Sequence, residues 1–124
     1  FPLTSAGEIA GEPSICVQIP EDWDAVPDGM CIDAEGMLWI ALFGGGAVTR
    51  WDPISGQLLE RLELPCRQVT SCCFGGPNLD QLFVTTARRE MDPAAIRAEP
   101  LAGGLFQADV GVEGLPADCF QVAA

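Results

Sequence analysis

The chain contains no histidine, no lysine and no tyrosine. Without histidine, mixed Cys/His zinc sites and histidine-dependent triads are excluded within it. Ser71 therefore has neither a histidine nor a lysine to activate its hydroxyl. All 6 cationic residues are arginines (Arg50, Arg61, Arg67, Arg88, Arg89 and Arg97), set against 18 acids for a net charge of −12. That balance argues against nucleic acid, whose phosphates need a cationic surface, and against docking on an anionic membrane. It reads first as a solubility feature and more weakly as clustered acids for a divalent cation. No apolar run approaches the roughly 18 residues that a membrane helix needs.

Cysteine is present but in no metal or redox pattern. Cys16, Cys31, Cys66, Cys72, Cys73 and Cys119 form no C-x-x-C pair, so the zinc-ribbon and thioredoxin signals are missing. Their density lies below that of disulfide scaffolds. All six read as small apolar residues in a reducing compartment, which points to the cytoplasm. On a strand, Cys72 and Cys73 would face opposite sides. The opening FPLTSAGEIAGEP has no initiator Met, basic n-region or apolar h-region, so it is not a signal peptide. The chain reads as starting in the middle of something longer.

What is present is β-pattern. The 124 residues are 48% hydrophobic, enough for one modest domain with a core. GMCID ends at the turn AEG, and MLWIALF, AVTRWD and QLLERLELP follow, separated by GGG and PISG. The order then recurs as VTSCCFGG, PNLD and QLFVTTA, with GGLFQADV after the insertion RREMDPAAIRAEPLA. Within that insertion Asp92 suits a helix cap, Pro93 the first turn and Pro100 the stop, giving a short helix near 92–99. Leu38-Trp39 recurs as Leu82-Phe83, and Pro20 as Pro65. Four-stranded units repeating at about 40–45 residues are the signature of β-propeller blades.

The expected fold is all-β, a partial β-propeller of about two and a half blades. Residues 1–20 would end one blade, 27–65 form a full blade, and 69–120 form a last blade with an insertion at 88–102. Propellers close with about four to eight blades. An open stack exposes apolar flanks, so self-association or a missing N-terminal propeller part is the expected partner.

The stretches PDGMCIDAEGMLWIALFGGGAVTRWDPISGQLL, LPCRQVTSCCFGGPNLDQLFVTTAR and LAGGLFQADVGVEGLP closely resemble the gluconolactonase/regucalcin family (senescence marker protein), covering its C-terminal portion. The resemblance implies a six-bladed propeller that hydrolyses sugar lactones, with one divalent cation (calcium, zinc or manganese) at a mouth of the channel. It implies three ligands: a Glu near the family's N-terminus, an Asn in its middle, and the Asp of a late Pro-Asp-Gly motif. Only the last has a counterpart here, Asp28, which is thereby the expected metal ligand and catalytic residue. Read without the family, Asp28 suits a turn residue bonding its own backbone, with Gly29 allowing a tight bend.

The other acids carry duller readings. Glu21, Asp22 and Asp24 read as exposed loop charge near the mouth, and Asp33, Glu35, Asp52 and Asp80 as turn residues. Arg88 and Arg89 end a strand, where ion pairing is expected ahead of substrate contact. Trp39 and Phe43 read as blade core and Trp51 as packing on a neighbouring blade. One functional expectation is a metal-dependent lactone hydrolase, competent only with the remaining blades supplied. The others are a catalytically silent assembly module and a calcium-binding regulatory protein. Metal binding by this chain alone is expected to be weak.

Overall fold

A computed structural model describes residues 1–117. It contains seven strands in two antiparallel sheets. The first sheet runs β1 (Val26–Ile32), β2 (Leu38–Phe43), β3 (Ala47–Trp51) and β4 (Leu58–Glu63), paired in chain order. The second runs β5 (Val69–Gly75), β6 (Gln81–Thr86) and β7 (Leu105–Asp109), again in chain order. Between β6 and β7 lies the helix α1 (Pro93–Ala98). The Asp92 carboxylate accepts from the Ala94 and Ala95 amides at 2.8 Å each, and Pro93 opens the first turn. Each sheet is a blade of a partial β-propeller.

The blades pack face to face, with β5 lying against β1 and β2. Their shared core holds Trp39, Ala41 and Val48 from the first sheet and Val69, Cys72, Leu82 and Val84 from the second. The alternate residues of β2, Ile40 and Leu42, face the other way and join Trp51, Val17, Ile19 and Trp23. Strand β2 is thus buried on both faces, which its unbroken apolar run Leu38–Phe43 requires. Trp51 packs on Trp23 with ring centroids 6.2 Å apart, and the Arg61 guanidinium lies 4.7 Å over the Trp23 ring.

Residues 1–20, expected to end a preceding blade, hold one antiparallel bridge, Leu3 to Ile9, and no extended strand. A lone hairpin without a third strand is marginal at best. The last blade shows three strands among the described residues, and the end of its expected span, 118–120, lies outside them, as does Cys119. The chain from Glu113 to Gly114 joins the first hairpin turn of each sheet. Ala34 N–H donates to the Glu113 carbonyl at 2.8 Å, and Gly114 N–H to the Leu79 carbonyl at 2.7 Å. No helix of the described residues is long and apolar enough to cross a membrane.

Two core expectations need correction. Phe43 is half-buried, because it ends β2 at the Gly44–Gly46 break and opens onto surface clefts. The cysteines are not uniformly core. Cys66 and Cys72 are buried, Cys31 is half-buried, and Cys16 and Cys73 are exposed, all five being free thiols. Cys72 and Cys73 do face opposite sides of β5.

Candidate functional site

Strand β1 is not regular. Pro27 pairs with Leu42 and Met30 with Ile40, so Asp28 and Gly29 together oppose the single residue Ala41. This is a β-bulge, a device that re-aims a side chain at a sheet edge or beside a site. The first strand of the second blade carries the same device: Thr70 and Ser71 together oppose Thr85. The two bulges abut. A Cβ on Gly29 would collide with the Ser71 hydroxyl and lie 2.5 Å from its Cβ and 2.8 Å from its Cα. Only glycine fits there, because two backbones meet with no room for a side chain.

Asp28 lies in the bulge and is exposed. With Val26, Pro27, Phe43 and Arg89 it lines an open cleft of about 400 Å³. Arg89 is held there by its backbone. Its N–H donates to Gln68 Oε1 at 2.7 Å, and Gln68 Nε2 donates to the Arg89 carbonyl at 2.8 Å. Gln68 in turn bridges to Phe43. The Arg89 guanidinium reaches Glu90 at 3.4 Å and is largely solvated. Asp28 and Arg89 therefore line one cleft.

Other expected residues lie elsewhere. Arg88 turns inward and caps the insertion, donating to the Ala102 carbonyl at 2.5 Å and the Pro100 carbonyl at 2.9 Å. Its partners are carbonyls rather than the expected carboxylates, because the loop after α1 leaves those acceptors free. Glu21 and Asp22 sit in an exposed 3-10 turn, and Asp24 follows with φ of 48° and a solvated pairing to Arg67 at 3.3 Å. Asp52 accepts from Ile54 N–H at 2.8 Å and Ser55 Oγ at 2.6 Å, as a turn residue does. Asp80 also lies in a turn, with its Oδ1 buried and without a hydrogen-bond partner among the described residues.

Asp33 is more than a turn residue. Its side chain is fully buried and its Oδ1 accepts from the Glu35 and Met37 amides at 3.0 and 2.9 Å. Its Oδ2 accepts from the Trp39 indole N–H at 2.9 Å and Arg50 Nε at 2.8 Å. Glu35 pairs with Arg50 Nη2 at 2.6 Å, the nitrogen that also faces Asp33. The network ties the first hairpin to β3 and lies apart from the cleft residues.

Among the described residues no three Cys, Asp or Glu side chains converge. Calcium takes about 6–8 oxygens and catalytic zinc about three protein ligands. The cleft offers one carboxylate, so these residues do not form a metal centre by themselves. Reasoning from sequence missed the Gln68–Arg89 lock, for which RQV and ARR carry no local signal.

The model of the family described as SMP-30/Gluconolactonase/LRE-like region matches residues 1–88. Human regucalcin is 49% identical over 96 residues, 77% of this chain and 32% of regucalcin. Pig regucalcin is 45% identical over 111 residues, 89% of this chain and 36% of that protein. The chain thus spans about a third of the length of the curated relatives it matches. Among solved structures, a regucalcin of Agrobacterium tumefaciens described as a calcium-binding protein superposes with a TM-score of 0.87 at 34% identity, covering 94% of this chain and 39% of that one. A luciferin-regenerating enzyme superposes at 0.73 and 33% identity, over 90% of this chain and 37% of its own.

Proposed function

This chain belongs to the SMP-30/gluconolactonase/LRE-like family, and from that premise we propose that it is the C-terminal part of a metal-dependent sugar-lactone hydrolase, competent when the remaining blades come from another chain or segment. The single observation that carries the reading is that Asp28, in the β1 bulge, lines an open cleft with Arg89. Asp28 would contribute one oxygen and the absent blades the others, and a divalent ion so held would supply Lewis-acid chemistry, polarising a lactone carbonyl and lowering the pKa of bound water. Calcium is the favoured ion because the Agrobacterium relative is described as calcium-binding. Arg89 would present hydrogen-bond donors to a polyhydroxylated substrate. The five described free cysteines support a reducing, cytoplasmic setting. Nucleic acid and membrane surfaces are disfavoured as partners by the charge of −12.

A second reading, a silent assembly module, is supported by the lack of converging metal ligands among the described residues. One experiment separates them. Hydrolysis of a gluconolactone-class substrate is measured with and without added calcium, zinc or manganese. The chain is assayed alone and co-expressed with the part of a regucalcin that it does not cover. Turnover in the reconstituted protein, lost in Asp28→Ala, supports the hydrolase. Undiminished turnover in that variant removes Asp28 from the reaction, and none in any assembly leaves the module.

A further inference from the structure

Two of the five described thiols meet across the blade interface. Cys31 Sγ on β1 lies 3.8 Å from Cys72 Sγ on β5. They are 41 positions apart in the chain and belong to different sheets, so only the packing of one blade on the other brings them together. Their surroundings differ. Cys72 is buried in the shared core and its Sγ also reaches the Trp39 carbonyl at 3.3 Å. Cys31 is half-buried and lines an open groove of about 440 Å³ with Ile32, Cys73, Phe74, Leu79 and Leu115. Cys31 thus stands at the border between the groove and the core, and Cys72 lies within the core.

We propose that Cys31 and Cys72 form a peroxide-responsive dithiol that closes into a disulfide between the two blades. Cys31 is the attacking sulfur. The side-chain contact with Cys72 draws its thiol below the ordinary range, against burial and the Asp33 charge, which push it up. Cys72 is pushed up by Cys31 and by burial, so of the two thiols Cys31 gives up its proton more readily.

The oxidant is hydrogen peroxide or an alkyl hydroperoxide. The Cys31 thiolate attacks the peroxide O–O bond, taking one oxygen as a sulfenic acid and releasing water or an alcohol. The Cys72 sulfur then attacks the Cys31 sulfur, the S–O bond breaks, and water leaves with the Cys72 proton. Two electrons and two thiol hydrogens pass to the peroxide in all, and a reducing thiol reverses the change. The sulfurs must close from 3.8 Å to the roughly 2 Å of a disulfide. The product would lock β1 to β5 three positions beyond Asp28 in the chain.

The test uses the chain with Cys16, Cys73 and Cys119 replaced by Ser, leaving Cys31, Cys66 and Cys72. It is exposed to hydrogen peroxide at neutral pH and analysed by intact mass and non-reducing peptide mapping. The expected result is a loss of about 2 Da for the two thiol hydrogens, a single Cys31–Cys72 linked peptide, reversal by dithiothreitol, and a higher thermal midpoint when oxidised. Adding Cys72→Ser should leave Cys31 as a sulfenic acid that dimedone traps. No mass loss, a linkage through Cys66, or over-oxidation of Cys31 without a crosslink would overturn the proposal. The unsubstituted chain is mapped in parallel, so poor folding of a variant does not remove the test. There, crosslinking through Cys73 in place of Cys72 is equally fatal.

Discussion

Arg50 crosses from β3 to the buried carboxylate of Asp33, its Nη2 standing 2.7 Å from Oδ2. The contact explains how a charge with no solvent exposure is tolerated at the end of the first hairpin. Both carboxylate oxygens are occupied, one by two backbone amides and the other by the Trp39 indole and the guanidinium. The guanidinium also lies 5.8 Å from the Trp39 ring centroid, joining the polar node to the largest side chain of the core.

Arg50→Met is expected to cost about 3 kcal/mol, the low end for leaving one member of a buried pair uncompensated. The low end applies because three N–H donors remain on Asp33. Urea denaturation of the variant and parent provides the measurement. A difference below about 1 kcal/mol, the level of an exposed pair, would show that the node is solvated in solution.

The same carboxylate sets an acid limit. Burial pushes the Asp33 carboxyl up, but the Met37 amide, the Trp39 indole and Arg50 together outweigh it and hold it below the ordinary range. A folded value below the unfolded value of about 3.9 contributes stability in full above about pH 5. That contribution is lost as the pH falls through the folded value. Asp33→Asn should start less stable at pH 7, because its amide presents N–H groups to donors, and lose less between pH 5 and pH 3. Denaturation midpoints across that window check the sign. Parallel acid limbs in the two proteins would dismiss Asp33 as their source.

Gly29→Ala should destabilise the chain by about 1–3 kcal/mol, the usual cost of overpacking. The added carbon meets Ser71 backbone as well as side chain, so Ser71→Ala should give no relief and Ser71→Gly only part of it. A tolerated Gly29→Ala would mean that the two bulges stand further apart in solution.

Much of this fold was legible because its punctuation is local. Gly or Pro residues bound most strand ends, and Asp92-Pro93 fixed where α1 begins. The bulges were not legible, since period-2 alternation cannot show two residues facing one. Asp33 could be placed in its turn, but its burial depends on Arg50, 17 positions away. Phe43 read as core because apolar type says nothing about lying at a sheet's end. For the site, the motif located Asp28 and the family gave it a role. Its neighbour Arg89 depends on a backbone lock to Gln68 across 21 positions, beyond any local pattern.

Asp28 supplies the last prediction. Sites with a full set of oxygen ligands can bind calcium as weakly as about 0.1–1 mM. One exposed carboxylate should do worse, so calorimetry of this chain with calcium should show no binding tighter than about 1 mM. Asp28→Asn should leave stability within about 0.5 kcal/mol, because the side chain is exposed. Co-expression with the part of a regucalcin that this chain does not cover should tighten binding, and Asp28→Asn should undo that gain without altering the assembly. The metal would then require carboxylates from both segments. Micromolar binding by the lone chain would instead mean a ligand set that the described residues do not contain, and the dependence on added blades would fall.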